Sequence, residues 1–210
     1  DINECFADFR TIDNKFYYAL GGIKAVGFEA ISNVVAERVK NGKFTSINDF
    51  LKRINPKDMN KLQLEGLVKA GAFDNLNSNR QSLFDSIPNF ILKTKNIFDN
   101  KSANQIDLFS EDETLENEIV NDIEDWNFEE RLSKEFEAVG FFISDHPLNQ
   151  FTEIFDDYKI KDYSMFNLND EIKDSNIAAT LLKVSERKIL KARIVATILN
   201  GNVVYSNRFR

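Results

Sequence analysis

Three glycines fall within seven residues near the start of the chain, at Gly21, Gly22 and Gly27. Because each glycine in a helix interior costs about 1 kcal/mol relative to Ala, this stretch predicts a tight turn. Apolar residues then recur at the three- and four-residue spacing of a helix from about Phe28 to Lys40. The pair Asn41–Gly42 is typical of a helix end. The sequence therefore predicts a glycine turn that leads directly into a helix.

A glycine turn at a helix start exposes backbone N–H groups at the positive end of the helix dipole, which favours anion binding. In helix-hairpin-helix modules, such a turn holds a DNA phosphate without reading the bases. The candidate residues are Gly22, Lys24 and Gly27, with Lys24 as the counter-charge. On spacing alone, an ordinary turn between helices with a solvated lysine remains the alternative.

Further helices are predicted between residues 46 and 95. Ser46, with Asp49 three residues later, is a candidate N-cap for a short helix that runs to Ile54. Asn60 is a candidate cap for the next helix, and Arg80 is expected to begin another that ends near Lys95. The apolar face of the helix after Asn60 is predicted to consist of Leu62, Leu64, Leu67 and Val68.

The run Lys69–Asp74 predicts a second compact turn between helices. Gly71 allows the chain to reverse, and Phe73 is expected to anchor the turn in the core. Lys69 and Arg80 are candidates to contact a second phosphate, so that two turns side by side would follow a duplex backbone. The alternative is a core-anchored loop with two surface charges.

A short β-hairpin is predicted ahead of the glycine turn. The segments Phe9–Ile12 and Phe16–Tyr18 flank Asp13–Asn14, a pair typical of a two-residue hairpin turn.

The charges of the chain are segregated. A net charge of −7 argues weakly against DNA binding, because attraction to phosphate needs a basic face. The charges of the first hundred residues nearly balance, with a slight basic excess. Any DNA-binding surface is therefore expected in that part of the chain alone. Between residues 107 and 137 only Arg131 and Lys134 oppose a crowd of carboxylates: Asp107, Glu111, Asp112, Glu113, Glu116, Glu118, Asp122, Glu124, Asp125, Glu129, Glu130, Glu135 and Glu137.

Residues 96–125 are polar and acidic with isolated apolar residues, which predicts a linker or a disordered loop. One apolar group stands out in it, the run Gln105, Ile106, Asp107, Leu108 and Phe109. Aliphatic and aromatic anchors on a tether are how short peptides dock in pockets, and a leading Gln can fix the register. The equal alternative is that Leu108 and Phe109 fold back onto the helical body.

Beyond Trp126 the pattern is first helical and then β-like. A helical spacing is kept by Leu132, Phe136, Val139 and Phe142, in a segment bounded by Gly140 and Pro147, and Phe151–Phe155 predicts a further short helix. From Ile177 onward, β-branched alternation predicts strands at residues 177–184 and 203–205.

The composition limits the chemistry that the chain can perform. A single Cys, Cys5, excludes an internal disulfide and fits a reducing cytoplasm, and one His and one Cys do not make a zinc site. His146, beside Pro147, is better explained as a satisfied or solvent-facing imidazole than as part of a catalytic triad. No defined acid/base pair or metal cluster is visible, and most Phe residues sit at core spacing rather than at positions for base stacking. No apolar run reaches the length of a membrane span. Neither a signal peptide nor an initiator Met opens the sequence, so we expect a fragment of a longer protein.

Several segments, in order, resemble one family. Tyr18–Gly27 resembles the YGLGAIKGVG signature of the alpha subunit of bacterial DNA polymerase III, and Phe44–Phe50 resembles its F.SL.DF step. Asn60–Asp74 is similar to NKR.LE.LI.AGAFD, Asn79 and Arg80 match its NR pair, and Glu135–Leu148 resembles E...LGFYLSGHPL. Gln105–Phe109 resembles the family's internal sliding-clamp-binding motif, Q..LF. The resemblance covers about residues 1–150.

The resemblance implies a mainly α fold and a binding role. It implies a tandem helix-hairpin-helix DNA-binding domain at residues 1–95, an acidic linker with the clamp motif at 96–125, a helical connector at 126–160 and an incomplete OB-like segment at 161–210. The parent protein would be a DNA-directed DNA polymerase that uses Mg²⁺. Its catalytic carboxylates would precede Asp1, so the segment itself is expected to carry no catalytic residue, cofactor or metal. The implied partners are duplex DNA, the sliding clamp and other polymerase holoenzyme subunits in the cytoplasm, with no membrane.

The sequence also departs from the family pattern. Asn77 stands where the family often has Gly, so we expect a strained left-handed residue there. Asp145 replaces the usual Gly before His146. The basic tail 186–210 does not follow the family, and residues 178–210 are expected to be partly disordered or mispaired.

Two other classes of function stay open on the residues alone. One is a free-standing helix-hairpin-helix nuclease or glycosylase, for which Lys24 and Asp74 would be available as catalytic groups. The other is a helical adaptor that binds only proteins, which the net charge of −7 favours.

Overall fold

The computed structural model describes residues 1–102, 123–160 and 176–181, together with two strands near the end of the chain. Residues 1–144 form one compact unit and residues 145–210 form a second. The predicted linker motif at 105–109 lies outside the described residues.

The described residues of the first unit form one β-hairpin and five α-helices, and this bears out the prediction of a mainly α fold. A single turn of 3-10 helix, Leu20–Gly22, leads into the first helix. The elements are β1 (Arg10–Ile12), β2 (Lys15–Tyr17), α1 (Phe28–Asn41), α2 (Ile47–Arg53), α3 (Lys61–Lys69), α4 (Arg80–Ser102) and α5 (Phe128–Val139).

The predicted hairpin is confirmed, with its register set by the turn. Asp13 and Asn14 both have positive φ angles, 49° and 61°. Two consecutive left-handed residues form the turn whose twist matches antiparallel strands, and Asx residues tolerate this conformation best. Thr11 therefore lies opposite Phe16, and Ile12 opposite Lys15.

Side-chain caps fix the starts of several helices. Ser46 accepts a hydrogen bond from the N–H of Asp49, as predicted. Asn60 and Gln63 form a reciprocal capping box at α3, of which only the Asn was predicted from the sequence. Asn127 accepts from the N–H of Glu130 at the start of α5. Each such cap contributes about 1 kcal/mol.

The core lies between α1, α2, α3 and α4. Phe50 is its centre, with ring centroids 5.1 Å from both Phe44 and Phe73 in edge-to-face geometry. Burial of each such side chain stabilises the fold by about 1.5–3 kcal/mol. The largest fully buried apolar side chains are those of Phe50, Ile2, Ile31, Leu67, Leu83, Ile87, Leu132, Val26, Val34 and Val68.

Two predictions for the helices were wrong in detail. Leu62 is 60% exposed rather than part of the apolar face of α3. Two residues, or about 200° of helix, separate Leu62 from Leu64, so the two side chains point to opposite sides. Helix α4 continues to Ser102, about two turns beyond the predicted end at Lys95. The polar residues after Lys95 do not break a helix, and composition alone misplaced its end.

The second unit contains short elements. A 3-10 helix, Pro147–Phe151, continues into α6 (Thr152–Asp157). Strands β3 (Ala196–Leu199) and β4 (Asn202–Ser206) pair antiparallel, and β4 contains the predicted strand residues 203–205. Residues 177–181 are not a strand; their neighbour Asn176 makes only an isolated bridge to Ile160.

The predicted connector 126–160 does not form one piece. Helix α5 belongs to the first unit, whereas α6 belongs to the second. The reason is that α5 packs on α3 and carries Glu135, which pairs with Arg80 at the start of α4. Within the part of the chain that is described, no helix combines the length and the apolar character needed to cross a bilayer.

Candidate nucleic-acid interface

The first predicted turn is exposed on one side and anchored on the other. Ile23 and Val26 are buried, whereas Lys24, Ala25 and Gly27 are exposed. Ala25 and Gly27 both have positive φ angles, 64° and 80°. An Ala in this left-handed region costs about 1–2 kcal/mol, so the surrounding contacts must hold the turn in place.

Helices α3 and α5 supply those contacts. The N–H of Lys24 donates to the carbonyl of Ala138 at 3.0 Å. The Gln63 side chain donates from Nε2 to the carbonyl of Val26 at 2.8 Å. A Cβ at Gly66 would come within 2.8 Å of the carbonyl oxygen of Lys24, so only glycine lets α3 approach this closely. The turn is thus a rigid element backed by two helices.

The open side of the turn presents unpaired donors. Gly27 is the N-cap of α1 and provides no side chain to cap it. The N–H groups of the first helical turn therefore point outward at the positive end of the dipole. A Cβ at Gly27 would meet no atom within 4 Å, and Gly22 is likewise exposed. One carboxylate, that of Glu29, lies in the same first turn of α1 and weakens the site's attraction for anions.

The structure thus brings Gly22, Lys24 and Gly27 together on one exposed surface, hereafter the first turn. This is the geometry that a phosphate group needs: exposed backbone donors, a helix N-terminus and a nearby cation.

The second predicted site is built differently. Arg80 is only 3% exposed, and its guanidinium donates to both oxygens of Asp74, at 2.8 and 2.7 Å. It also donates to Glu135 at 2.8 Å and to the Lys69 carbonyl at 3.2 Å. Because all of these contacts are internal, Arg80 holds the fold together instead of presenting a charge for phosphate.

Gly71 and Lys69 share that structural role. Gly71 has φ +72°, and a Cβ there would lie 2.1 Å from Nη2 of Arg80, so the glycine makes room for the guanidinium. The Lys69 side chain is 14% exposed and pairs with Glu137 at 2.8 Å. The predicted core anchor, Phe73, is buried as expected. Asn77 lacks the expected positive φ, since its side chain accepts from the N–H of Asn79 in an ordinary Asx turn.

Glu135 is the innermost member of this charge cluster. It is fully buried, and its Oε2 accepts from the N–H groups of Ile143 and Ser144, both at 3.0 Å. Burial by itself raises the pKa of Glu135, but the Ser144 N–H, the Arg80 guanidinium and the Ile143 N–H outweigh it and hold the pKa below its ordinary value. The carboxylate is therefore charged at neutral pH. Composition and spacing do not distinguish it from the other acidic residues; only its place at the head of the Glu135–Leu148 resemblance marks it.

A further helix start was missed as a candidate. The turn between α2 and α3 is anchored by buried Ile54 and Met59 and exposes Lys57. Its helix start is closed by the Asn60–Gln63 capping box, which satisfies backbone donors that a phosphate would otherwise use. The start of α1 has no such cap, so its backbone donors stay open.

The clamp motif Gln105, Ile106, Asp107, Leu108 and Phe109 lies outside the described residues. The chain on either side of the gap is placed: Ser102 ends α4, and Ile123 accepts a 2.6 Å hydrogen bond from Asn79, just before α4 begins. A helix of 23 residues is about 34 Å long.

The catalytic alternatives gain no support from this geometry. Asp74, the carboxylate that a nuclease or glycosylase would need, is bonded to both Arg80 and Arg131. His146 is exposed and its Nδ1 accepts from the N–H of Leu148 at 3.2 Å, in keeping with a satisfied imidazole. Among the described residues, no group of three or more His, Cys, Asp or Glu side chains is arranged to hold a metal ion.

The turn and its helices define a class. The sequence pattern of the helix-hairpin-helix motif matches residues 1–83, the part that contains the first turn and helices α1 to α3. Residues 1–83 therefore form a helix-hairpin-helix region.

Similarity to individual proteins identifies the family. The chain is 35% identical over 162 residues to the DNA polymerase III subunit alpha of Borreliella burgdorferi, which covers 75% of the chain and 14% of that protein. It is 36% identical over 195 residues to the same subunit of Rickettsia bellii, covering 90% and 16%, and 36% identical over 148 residues to that of Caulobacter vibrioides, covering 70% and 13%. The chain belongs to the family of bacterial DNA polymerase III alpha subunits and spans about one seventh of the length of these relatives.

Proposed function

We propose that this chain is the part of a replicative DNA polymerase that holds duplex DNA and the sliding clamp while another part of the subunit carries out synthesis. The observation that carries the proposal is the first turn, in which an uncapped helix start, exposed glycines and Lys24 surround one open surface. Polymerisation itself, with its Mg²⁺-dependent chemistry, belongs in this proposal to the whole subunit.

The duplex contact works through the sugar-phosphate backbone. A phosphate oxygen at the N-terminus of α1 would accept hydrogen bonds from the backbone N–H groups at the start of that helix. Lys24 would add a charge contact. None of these groups reads a base edge, so the contact is independent of sequence. Sequence independence is what a replicative polymerase requires, because it must move along every template.

The clamp contact is assigned to Gln105–Phe109. In this proposal Leu108 and Phe109 fill an apolar pocket of the clamp, and Gln105 fixes the register by hydrogen bonding. The support is the resemblance of the motif and its position in an acidic stretch of a chain whose relatives are polymerase III alpha subunits.

The two contacts together would raise processivity. Once the clamp encircles the duplex and the motif is docked, the first turn meets the same duplex at an effective concentration in the millimolar range for a short tether. A weak backbone contact is then sufficient, and this fits a chain with a net charge of −7.

Replacing Lys24 with Gln is expected to weaken binding to a blunt DNA duplex several-fold at low salt, because one phosphate contact loses its cation. The matched control is Lys40→Gln, which makes the same charge change at the opposite end of α1 and should leave affinity nearly unchanged. Fluorescence anisotropy with a labelled duplex measures both variants. Equal losses in the two variants would show a diffuse charge effect and contradict a contact at the first turn.

Replacing both Leu108 and Phe109 with Ala is expected to weaken binding to a bacterial sliding clamp at least tenfold, because the two side chains are the anchors of the motif. Surface plasmon resonance with immobilised clamp measures the effect. The control is Leu115→Ala with Ile119→Ala, which removes comparable apolar surface from the same acidic stretch. If the control loses as much affinity as the test variant, or if the parent chain does not bind, the clamp assignment fails while the duplex proposal stands.

A further inference from the structure

Four aromatic side chains form a connected strip on the surface of the first unit, hereafter the aromatic strip. Its outer members are more exposed than core aromatics: Phe16 is 68% exposed, Phe9 52% and Phe141 46%. Phe9 stacks on Phe16 at 5.8 Å with the rings 21° apart, and Tyr18 meets Phe9 and Phe141 edge-on at 5.1 and 5.4 Å. The sequence predicts a core role for most Phe residues of the chain, whereas the Phe rings of this strip lie in contact with solvent.

The hairpin places three of these four rings on one face. Because side chains alternate along a strand, Phe9, Phe16 and Tyr18 share a face, and Arg10 and Lys15 occupy the other. No charged side chain belongs to the strip. The two-residue turn at Asp13–Asn14 fixes this register, and the register in turn places the three rings on the same face of the hairpin.

The strip is continuous with the first turn. The Tyr18 ring and hydroxyl lie 3.7–3.9 Å from the position that a Cβ on Gly22 would occupy. On the other side, the backbone N–H of Lys24 donates to the carbonyl of Ala138, which lies three residues before Phe141 in the chain. Aromatic rings therefore begin where the proposed phosphate contact ends.

We propose that the aromatic strip is a stacking platform for unpaired bases of a single-stranded tail next to the duplex held by the first turn. This inference rests on the proposed duplex contact, from which the strip extends. Exposed aromatic rings offer π-faces that accept any base, and such stacking is tolerant of sequence, as the backbone contact is. Lys24 supplies a cation at the border of the strip.

The experiment compares a blunt duplex with the same duplex extended by six unpaired thymidines at either its 5′ or its 3′ end. For the full chain, a tail of one polarity is expected to tighten binding about tenfold, which corresponds to roughly one stacked base. Phe9→Leu with Phe16→Leu should remove that gain and leave blunt-duplex affinity unchanged, because the apolar surface is kept but the π-faces are lost. Phe9→Tyr with Phe16→Tyr should retain the gain.

A 2-aminopurine placed in the tail provides a second readout. Its fluorescence is expected to fall on binding to the parent chain and to change little with the Leu variant. Circular dichroism checks the fold of each variant.

The outcomes separate this inference from the function on which it rests. If blunt duplex binds but neither tail improves affinity, or if the Leu variant keeps the gain, the stacking inference is overturned and the strip is assigned to protein contact. If neither duplex nor tailed DNA binds, the proposed duplex contact and the stacking inference fail together. Lys24→Gln should weaken blunt and tailed DNA by the same factor, in contrast to the variants of the strip.

Discussion

Replacing Glu135 with Ala is expected to lower the free energy of unfolding by about 3–5 kcal/mol, the effect of breaking a buried ion pair by removing one partner. Glu135 is fully buried, and its removal would leave two backbone N–H groups without their acceptor. Arg80 would keep Asp74, but its Nη1 would lose its charged partner. Urea denaturation followed by circular dichroism measures the loss.

The surface carboxylate Glu137 provides the control. It lies two residues along the same helix, it is 59% exposed, and it pairs with Lys69 at 2.8 Å. An exposed pair of this kind contributes about 0–1 kcal/mol, so Glu137→Ala should be nearly neutral. A loss below about 1 kcal/mol for Glu135→Ala would contradict the proposed role of the buried pair, since that is the range of exposed pairs.

The same variant has a pH signature. Because the folded-state pKa of Glu135 lies below its ordinary value, its contribution is fully present above that ordinary value and is lost as the pH falls through the folded-state pKa. The stability difference between the parent and Glu135→Ala should therefore be constant from pH 5 to 7 and shrink under more acidic conditions.

Replacing Gly71 with Ala is expected to destabilise the chain by about 3 kcal/mol. About 1 kcal/mol of this comes from placing a Cβ at positive φ, and the remainder comes from displacing the buried Arg80 guanidinium. That displacement is forced because the new Cβ would lie 2.1 Å from Nη2 of Arg80. Thermal and urea denaturation together give the change.

Gly140→Ala isolates the contribution of the backbone. Gly140 ends α5 with φ +93°, and a Cβ there would meet no atom within 4 Å. It should therefore show only the loss of about 1 kcal/mol expected for a left-handed Ala. Equal losses at the two glycines would mean that Arg80 adapts freely, so that Gly71 is not required to make room for the guanidinium.

Local signals predicted the local structure well. The Asp13–Asn14 turn, the Ser46 cap and the glycine end of α1 depend on residues within four positions of one another, and all three are present. The first-turn residues are all exposed, whereas their role as a phosphate site stays a prediction. Gly22, Lys24 and Gly27 are neighbours in sequence, so that a single turn determines their arrangement.

Long-range partners explain what the sequence did not reveal. Arg80 was predicted to be a surface cation, but Glu135, 55 residues further along, covers its charge in the core. Charge and spacing do not distinguish that carboxylate from the exposed acids around it, and its place at the head of the Glu135–Leu148 resemblance does not reveal its partner. The exposed rings of the aromatic strip were not singled out from the sequence, because spacing identifies apolar positions but not which of them a neighbouring element covers.

The most direct test of the central claim is a salt titration of the unaltered chain with blunt duplexes of three unrelated sequences. If the first turn holds the backbone, affinity should be similar for all three, and log K should fall linearly with log salt at about −0.9 per phosphate contacted. Absence of binding at low salt, affinity that is independent of salt, or strong preference for one sequence would contradict the claim that this chain holds duplex DNA through its phosphates.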